Sequence, residues 1–295
     1  MTANAEGPLR GRTILMSGGS RGIGLAIAVR AARDGANVAL LAKTAEPHPK
    51  LEGTIHTAAA EIEAAGGHAL AIVGDVRDEE SILGAVQQTV ERFGGIDVVV
   101  NNASAIDLSP STELAAKRFD LMQQIEVRGT FLLTRTAIPH LRRSDHAHIL
   151  TLSPPLNTSK RWLGACVGYM LAKYGMTLAA LGFAAELEPD RIASNTLWPR
   201  TIIATAAVQN LLGGDAAMAR SRSPEIMADA AHAIFNKPAR AFTGHFLIDD
   251  NLLAENGVVD FDQYRVDPTQ KLAQDFFVPD DIPPPKGVIM EAGFH

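Results

Sequence analysis

TILMSGGSRGIGLAIAVRAARDG, residues Thr13–Gly35, passes from a short apolar run through a glycine-rich turn into a helical pattern. Thr13–Ser17 reads as a buried strand, and Ile23–Asp34 as a helix that Gly35 stops. Between them SGGSRGIG, Ser17–Gly24, sets glycines where a backbone must turn sharply and come close to a pyrophosphate. The helix that follows offers N–H groups and positive potential to an anion. Many strand-to-helix corners use glycine for geometry alone. A first-strand location with a helical continuation favours a dinucleotide site.

The same alternation continues along the chain. Strands are predicted at Asn37–Ala42, Ala69–Val73, Val98–Val100, His148–Leu152 and Ile192–Leu197. Helices are predicted at Thr54–Ala65, Glu79–Phe93, Thr112–Arg135 (with a break allowed) and Val167–Leu187. Continuous apolar strands between helices indicate an α/β fold: a doubly wound parallel sheet covered on both faces, in one domain. Ala45–Lys50, Thr201–Pro224 and the tail after Phe261 read as irregular chain. The tail carries VPDDIPPPKG, whose prolines favour extended backbone. Residues 9–260 are therefore expected to form the domain, with 261–295 as a strap packed on its surface.

Composition narrows the function. The 295 residues, 46% hydrophobic, suffice for one large core. A formal charge of −6 argues against nucleic acid or an anionic membrane as the main partner. Cys166 is the only cysteine, which suits a reducing cytosol. The opening MTANAEGPLRGRTILMSGG lacks the apolar core of a signal peptide, and no apolar run nears the ~20 residues that span a bilayer. A cytoplasmic protein is expected. Nine histidines and one cysteine show no zinc-ligand spacing, so no metal is expected.

The end of the second strand bears on the choice of cofactor. NAD sites commonly place an acid there for the ribose hydroxyls. Here ALLAKT puts Ala42 and Lys43 at that place, and Arg21 adds a cation inside the glycine turn. Two positive charges suit a 2′-phosphate, so NADP(H) is expected over NAD(H). Solvated surface cations are the plain alternative.

SGGSRGIG, NNAS at Asn101–Ser104 and YMLAK at Tyr169–Lys173 together resemble the short-chain dehydrogenase/reductases over roughly Leu9–Asp250. AKTAEPHPKLEGTIHTAAAEIEAAGG, SPPLN and NTLWPRT narrow the resemblance to the hydroxysteroid dehydrogenase-like branch, without the sterol-carrier domain that some animal members carry. The branch's name does not demonstrate a steroid substrate. The resemblance implies that Gly18, Ser20, Arg21, Gly22, Ile23 and Gly24 cradle the pyrophosphate, with Lys43 at the 2′-phosphate. It places Asp75 at the adenine amine beside Val76, and Asn101 and Ala103 around the adenosine ribose. Pro199 and Ile202 are implied at the nicotinamide. Arg200 stands where the family usually has glycine after that proline. A dimer or tetramer formed through the helices at Thr112–Arg135 and Val167–Leu187 is also implied.

Tyr169 and Lys173 lie one helical turn apart. A nearby ammonium stabilises phenolate, so Lys173 is expected to lower the tyrosine pKa and fit it for proton exchange with a substrate oxygen. In the family the lysine also holds the nicotinamide ribose. Two departures surround this pair. In most relatives the fifth strand ends in two serines, the second of which bonds the reacting oxygen; here Pro154 takes that seat and Ser153 falls one place early. A shift of one residue turns a side chain to the opposite face. Ser153 is the expected donor, through a kink at Pro154-Pro155, with Thr158 and Ser159 as the other hydroxyls. Glu126 replaces the asparagine whose backbone supports a water relay to the lysine, and its carboxylate can raise the tyrosine pKa. Cys166 reads as a small buried thiol, while Trp162, Leu163, Trp198 and Ile202–Leu212 read equally as substrate wall or core.

Two functions follow. The leading one is an NADP(H)-dependent oxidoreductase acting on a secondary alcohol or carbonyl of a mainly apolar molecule, with Tyr169 as acid/base. The alternative is a scaffold or sensor that kept the nucleotide-binding fold and lost efficient turnover.

Overall fold

The computed structural model describes residues 7–47 and 52–291; positions 48–50 of the expected irregular stretch lie outside the described residues. Seven parallel strands form one sheet in the order β3-β2-β1-β4-β5-β6-β7. They are β1 Thr13–Ser17, β2 Asn37–Ala42, β3 His68–Val73, β4 Val98–Asn101, β5 His148–Thr151, β6 Ala193–Trp198 and β7 Phe246–Ile248. Order reverses between β1 and β4, both of which pair with Ser17 and Asn101 level at their C-terminal ends. Such a switch point opens the crevice in which open α/β sheets bind ligands.

Helices α1 Gly22–Ala32, α2 Ile55–Ala64 and α3 Glu79–Phe93 are delimited by recognisable local chemistry. Thr54 and Thr57 form a reciprocal capping box at the start of α2, and the Asp78 carboxylate accepts from the N–H groups of Glu80 and Ser81 at the start of α3. Gly94 closes α3 in the left-handed conformation at φ 88°. The sheet core is dry. Ile14, Leu15 and Met16 of β1 are fully buried, alternating between the two faces, and each such side chain contributes roughly 1.5–3 kcal/mol.

The single helix expected at Thr112–Arg135 divides into α4 Ala116–Met122, a π-helical turn Gln123–Arg128, and α5 Gly129–Leu141. Chain direction is kept, but the wider turn admits one extra residue and changes which side chains face inward. α6 Lys160–Ala165 precedes α7 Val167–Glu186, the expected tyrosine–lysine helix.

The sequence pattern missed β7, the helix α10 Glu225–Phe235 and the helix α11 Asp249–Glu255. Thr201–Pro224, expected to be irregular, carries the short helices α8 Ala206–Leu211 and α9 Gly214–Ala219. The tail is tied down closely: Thr201 bridges Gln274, Arg222 bridges Arg265, and β8 Leu272–Ala273 pairs with β9 Met290–Glu291. Phe277 and Val278 are fully buried. Among the described residues no helix is long and apolar enough to cross a membrane.

Candidate active site

The glycine turn has the shape a phosphate cradle needs. Gly18 has φ +73°, and a Cβ there would lie 2.9 Å from the Ala103 Cα; one on Gly24 would lie 2.6 Å from the Asn102 amide nitrogen. Asn102, which the sequence reading did not single out, locks the turn by donating from Nδ2 to the carbonyls of Ser17 (3.0 Å) and Gly18 (2.7 Å). The N–H groups of Asn102 and Ala103 both donate to the Ser17 hydroxyl at 3.1 Å. Asn101 turns inward instead. Its amide donates to Thr134 (3.0 Å) and Thr151 (3.4 Å), so the side chain joins β4 to β5 and to α5. Thr205 closes the turn from the other side, 3.4 Å from where a Cβ on Gly22 would lie.

Beyond β2 and β3 the structure adds a third cation. Arg77 grips the Asp75 carboxylate through Nε (2.9 Å) and Nη2 (2.6 Å), and Lys43 Nζ stands 3.7 Å from the same group. Burial pushes the Asp75 carboxyl up, but hydrogen bonds from Arg77 and the Lys43 charge outweigh it and bring its pKa below the ordinary value. The carboxylate expected at the adenine amine is thus already engaged. Arg21 donates from Nη2 to the Gly53 carbonyl at 2.8 Å, while its buried Nε has no partner. Arg77 thus joins Lys43 at the Asp75 carboxylate, a cation that the sequence reading did not name.

The residues expected to transfer a proton sit beside the C-terminal end of β5. Tyr169 and Lys173 on α7 are 5% and 3% exposed, so neither is a surface pair. Lys173 Nζ donates to the Leu152 carbonyl at 3.2 Å, and Thr177 Oγ1 donates to the Pro154 carbonyl at 2.7 Å. These two bonds, from residues one turn apart, clamp the backbone on either side of Ser153. Its hydroxyl is fully buried without a hydrogen-bond partner. An orphaned buried hydroxyl is costly unless a function uses it. Ser159 also leaves a buried hydroxyl unpaired, while Thr158 is exposed.

The expected lowering of the Tyr169 pKa by Lys173 is not what the chain's own groups produce. Burial, then the carboxylates of Glu126 and Asp275 and the Cys166 thiol, hold the phenol well above its ordinary value. Lys173 Nζ lies 5.9 Å from the tyrosine ring centre and is bonded to the Leu152 carbonyl. Burial lowers the lysine's own pKa, with Glu126 and Asp275 acting against that. Cys166 is the buried thiol expected, its pKa pushed up to about 11 by burial.

Asp275 comes from the tail, which no local pattern connects to the site. The strap folds across the site: Phe277, at φ +64°, inserts its ring among those of Trp162, Tyr169, Tyr174 and Trp198 at 5.7, 6.1, 5.3 and 6.3 Å. A left-handed phenylalanine is strained, and this one is held by its aromatic neighbours and the Trp198 Nε1 bond to the Phe276 carbonyl at 2.7 Å. Trp162 and Trp198 are therefore core residues, 2% and 7% exposed, packed around the strap ring. Leu163 stays largely exposed, at 37%.

Arg200 explains the missing glycine. Its side chain is 1% exposed and bonds Asp250 through Nε (2.7 Å), the Ile282 carbonyl through Nη1 (2.9 Å) and Asn251 through Nη2. Pro199 is buried beside it. The Ile202 N–H donates to the Ala273 carbonyl and its carbonyl accepts from Arg222 N–H, both at 3.0 Å, so the backbone expected at the nicotinamide is tied to the tail and to the segment at Arg222.

Burial pushes the Asp275 carboxyl up to about 7, with Asp249 adding to the shift and Lys173 opposing it. Between its ordinary value of 3.8 and about 7, the folded chain retains a proton there that the unfolded chain has lost. Its contribution to stability therefore falls as pH rises through that window. Asp275→Asn should remove the fall, raising the melting temperature relative to the unmodified chain by several degrees at pH 8 and hardly at pH 4. Parallel melting curves at both pH values check this; a pH-independent offset contradicts it.

Comparison with known proteins agrees with this architecture. The sequence model for short chain dehydrogenases matches residues 12–214. Hydroxysteroid dehydrogenase-like protein 2 of Danio rerio is 54% identical over 94% of this chain, and that of Homo sapiens 50% identical over 94%. The chain spans 66% and 65% of those relatives, just under two thirds of their length. The crystal structure of a short chain dehydrogenase from Mycobacterium thermoresistibile is 59% identical, with a TM-score of 0.89 over 96% of this chain and 100% of that one. Likeness of this extent reaches beyond the sheet to the sequence that builds the site, and the chain belongs to the short chain dehydrogenase/reductase family, in its hydroxysteroid dehydrogenase-like branch.

Proposed function

We propose that this oxidoreductase uses NADP(H) to interconvert a secondary alcohol and a carbonyl on a mainly apolar small molecule. The observation that carries the reading is the buried clamp on Ser153, which sets an unpaired hydroxyl beside the helix that bears Tyr169 and Lys173. Gly18–Gly24 and Thr205 would hold the pyrophosphate, and Lys173 the nicotinamide ribose. Arg21 and Lys43, with Arg77 behind them, would receive the 2′-phosphate. A nicotinamide bound there supplies or takes up hydride. Ser153 would orient the substrate oxygen, and Tyr169 would exchange a proton with it. The raised phenol pKa means that Tyr169 rests protonated, suited to donating to a carbonyl oxygen. Trp162, Trp198, Phe276 and Phe277 support an apolar substrate.

The strap ring on Tyr169 is also what a weakly active sensor would show, and turnover decides between the two. A screen of secondary alcohols and carbonyls with each cofactor, following reduced-nicotinamide absorbance, is the test; cofactor binding without turnover of any substrate would favour the sensor. For the cofactor itself, Lys43→Asp should weaken NADP(H) binding roughly tenfold and leave NAD(H) nearly unchanged. Calorimetry at one salt concentration measures both, and equal affinities of the unmodified chain for the two cofactors would overturn the preference.

Phe131, Leu171 and Leu178 on α5 and α7 are 46%, 46% and 58% exposed, which supports a homodimer or homotetramer formed through those helices. The single buried free thiol supports a reducing compartment such as the cytoplasm.

A further inference from the structure

Phe277 is fully buried in a backbone conformation that phenylalanine avoids, at φ +64°. Its ring centre lies 5.7 Å from that of Trp162, 6.1 Å from Tyr169, 5.3 Å from Tyr174 and 6.3 Å from Trp198, tilted to them by 56°, 35°, 59° and 52°. Tilted rings at such separations attract one another, so these four form a cage suited to a flat aromatic group. The sheet and its helices supply the cage: Trp198 ends β6, Trp162 lies in α6, and Tyr169 and Tyr174 lie in α7. The ring inside it comes from the strap.

One member of the cage is the residue expected to exchange the proton. Tyr169 is 5% exposed and shares an apolar cluster with Phe277 and Val278. A substrate oxygen reaches so enclosed a phenol once a neighbour moves aside, and the strap is built to do so. It is pinned on both sides of Phe277. Before the ring, the Asp275 N–H donates to the Arg200 carbonyl at 2.9 Å and Trp198 Nε1 to the Phe276 carbonyl at 2.7 Å. After it, Arg200 Nη1 donates to the Ile282 carbonyl at 2.9 Å. Between the pins Val278 is held by a longer bond, from Asn157 Nδ2 to its carbonyl at 3.4 Å. The loop 277–281 can therefore swing outward about fixed ends, and leaving the left-handed conformation relieves strain.

We propose that Phe277 is the specificity-determining residue of the site: its ring stands in for an aromatic ring of the substrate, which turns the 277–281 loop outward and takes its place in the cage. The proposal rests on the oxidoreductase reading above and names the substrate class, an alcohol or carbonyl borne next to a single aromatic ring. The match is one of size and shape. Phe277 vacates the space of a benzyl group, which a flat ring refills. A flexible chain of equal carbon count has no π face to offer and loses more rotational freedom on entering.

The experiment uses the full chain with NADP⁺ and either acetophenone or 2-octanone, ketones of equal carbon count. Oxidised cofactor and ketone cannot react, so each complex persists. Trp162 and Trp198 are the two tryptophans of the chain, so fluorine NMR of 5-fluorotryptophan reads two sides of the cage, and hydrogen exchange read by mass spectrometry follows the strap. Acetophenone should shift both fluorine resonances and speed exchange over residues 277–282 by about fivefold or more. At the same concentration 2-octanone should do neither. Phe277→Gly, which suits the left-handed backbone and leaves the cage open, should bind acetophenone about tenfold tighter and admit 2-octanone as well. Fluorine resonances that acetophenone leaves in place, or that 2-octanone shifts equally in the unmodified chain, overturn the proposal. Slower exchange over 277–282 with acetophenone bound overturns it too, because the strap would then close over the ligand instead of yielding to it. Shifted resonances and faster exchange with no turnover of any substrate in the screen would keep the ring site and sink the oxidoreductase reading.

Discussion

Replacing Tyr169 by phenylalanine is expected to lower kcat between about 100-fold and 10,000-fold, the range that a positioned acid/base contributes. The change removes one oxygen from a side chain that is 5% exposed and packed on Phe277, so volume and stacking are almost conserved. NADP(H) affinity should stay within about twofold, because Lys173 and the glycine turn are untouched. The loss should appear in kcat and kcat/KM alike, as for an interaction made only in the transition state. Steady-state kinetics with calorimetry of the cofactor measure all three. Turnover at the unmodified rate would show that another group handles the proton.

Arg200→Ala should be the most destabilising single change around the site. The guanidinium is 1% exposed and binds Asp250, itself fully buried and shared with Arg222 at 3.0 Å. Removing one member of a buried ion network leaves the remaining charge poorly compensated and costs about 3–5 kcal/mol. Asp250 keeps Arg222, which places the expected loss at the lower end and the fall in melting temperature at roughly 5–10 °C. The same residue bonds the Ile282 and Pro283 carbonyls, so the strap should loosen with it. Faster proteolysis within residues 262–291 would report that release. Arg200→Gly, restoring the family's usual residue, should destabilise as much, since glycine supplies neither charge nor bonds. A melting temperature unchanged from the parent chain would contradict the network's role.

Both changes concern residues that the sequence marked, but for reasons of unequal depth. Tyr169 and Lys173 were legible because their relation is local: four positions on a helix fix two side chains on one face. The glycine turn was legible for the same reason, as were β1–β6 and most helices, where apolar period and glycine or capping residues speak within a dozen positions. Arg200 was visible only as a departure from glycine. Its partners stand about 50 residues away at Asp250 and 82 away at Ile282.

The chain by itself determined the first six strands, the glycine turn after β1 and the turn of α7 that pairs tyrosine with lysine, because short-range periodicity and backbone sterics encode each of them. Tertiary structure decided the electrostatics and the closure of the site. The sense of the Tyr169 shift depends on carboxylates at Glu126 and Asp275 and on loss of water, and burial is a property of the packed molecule. The π-helical turn, the clamp on Ser153 and the insertion of Phe277 arise from contacts between segments far apart in sequence, whose pairing no local pattern records.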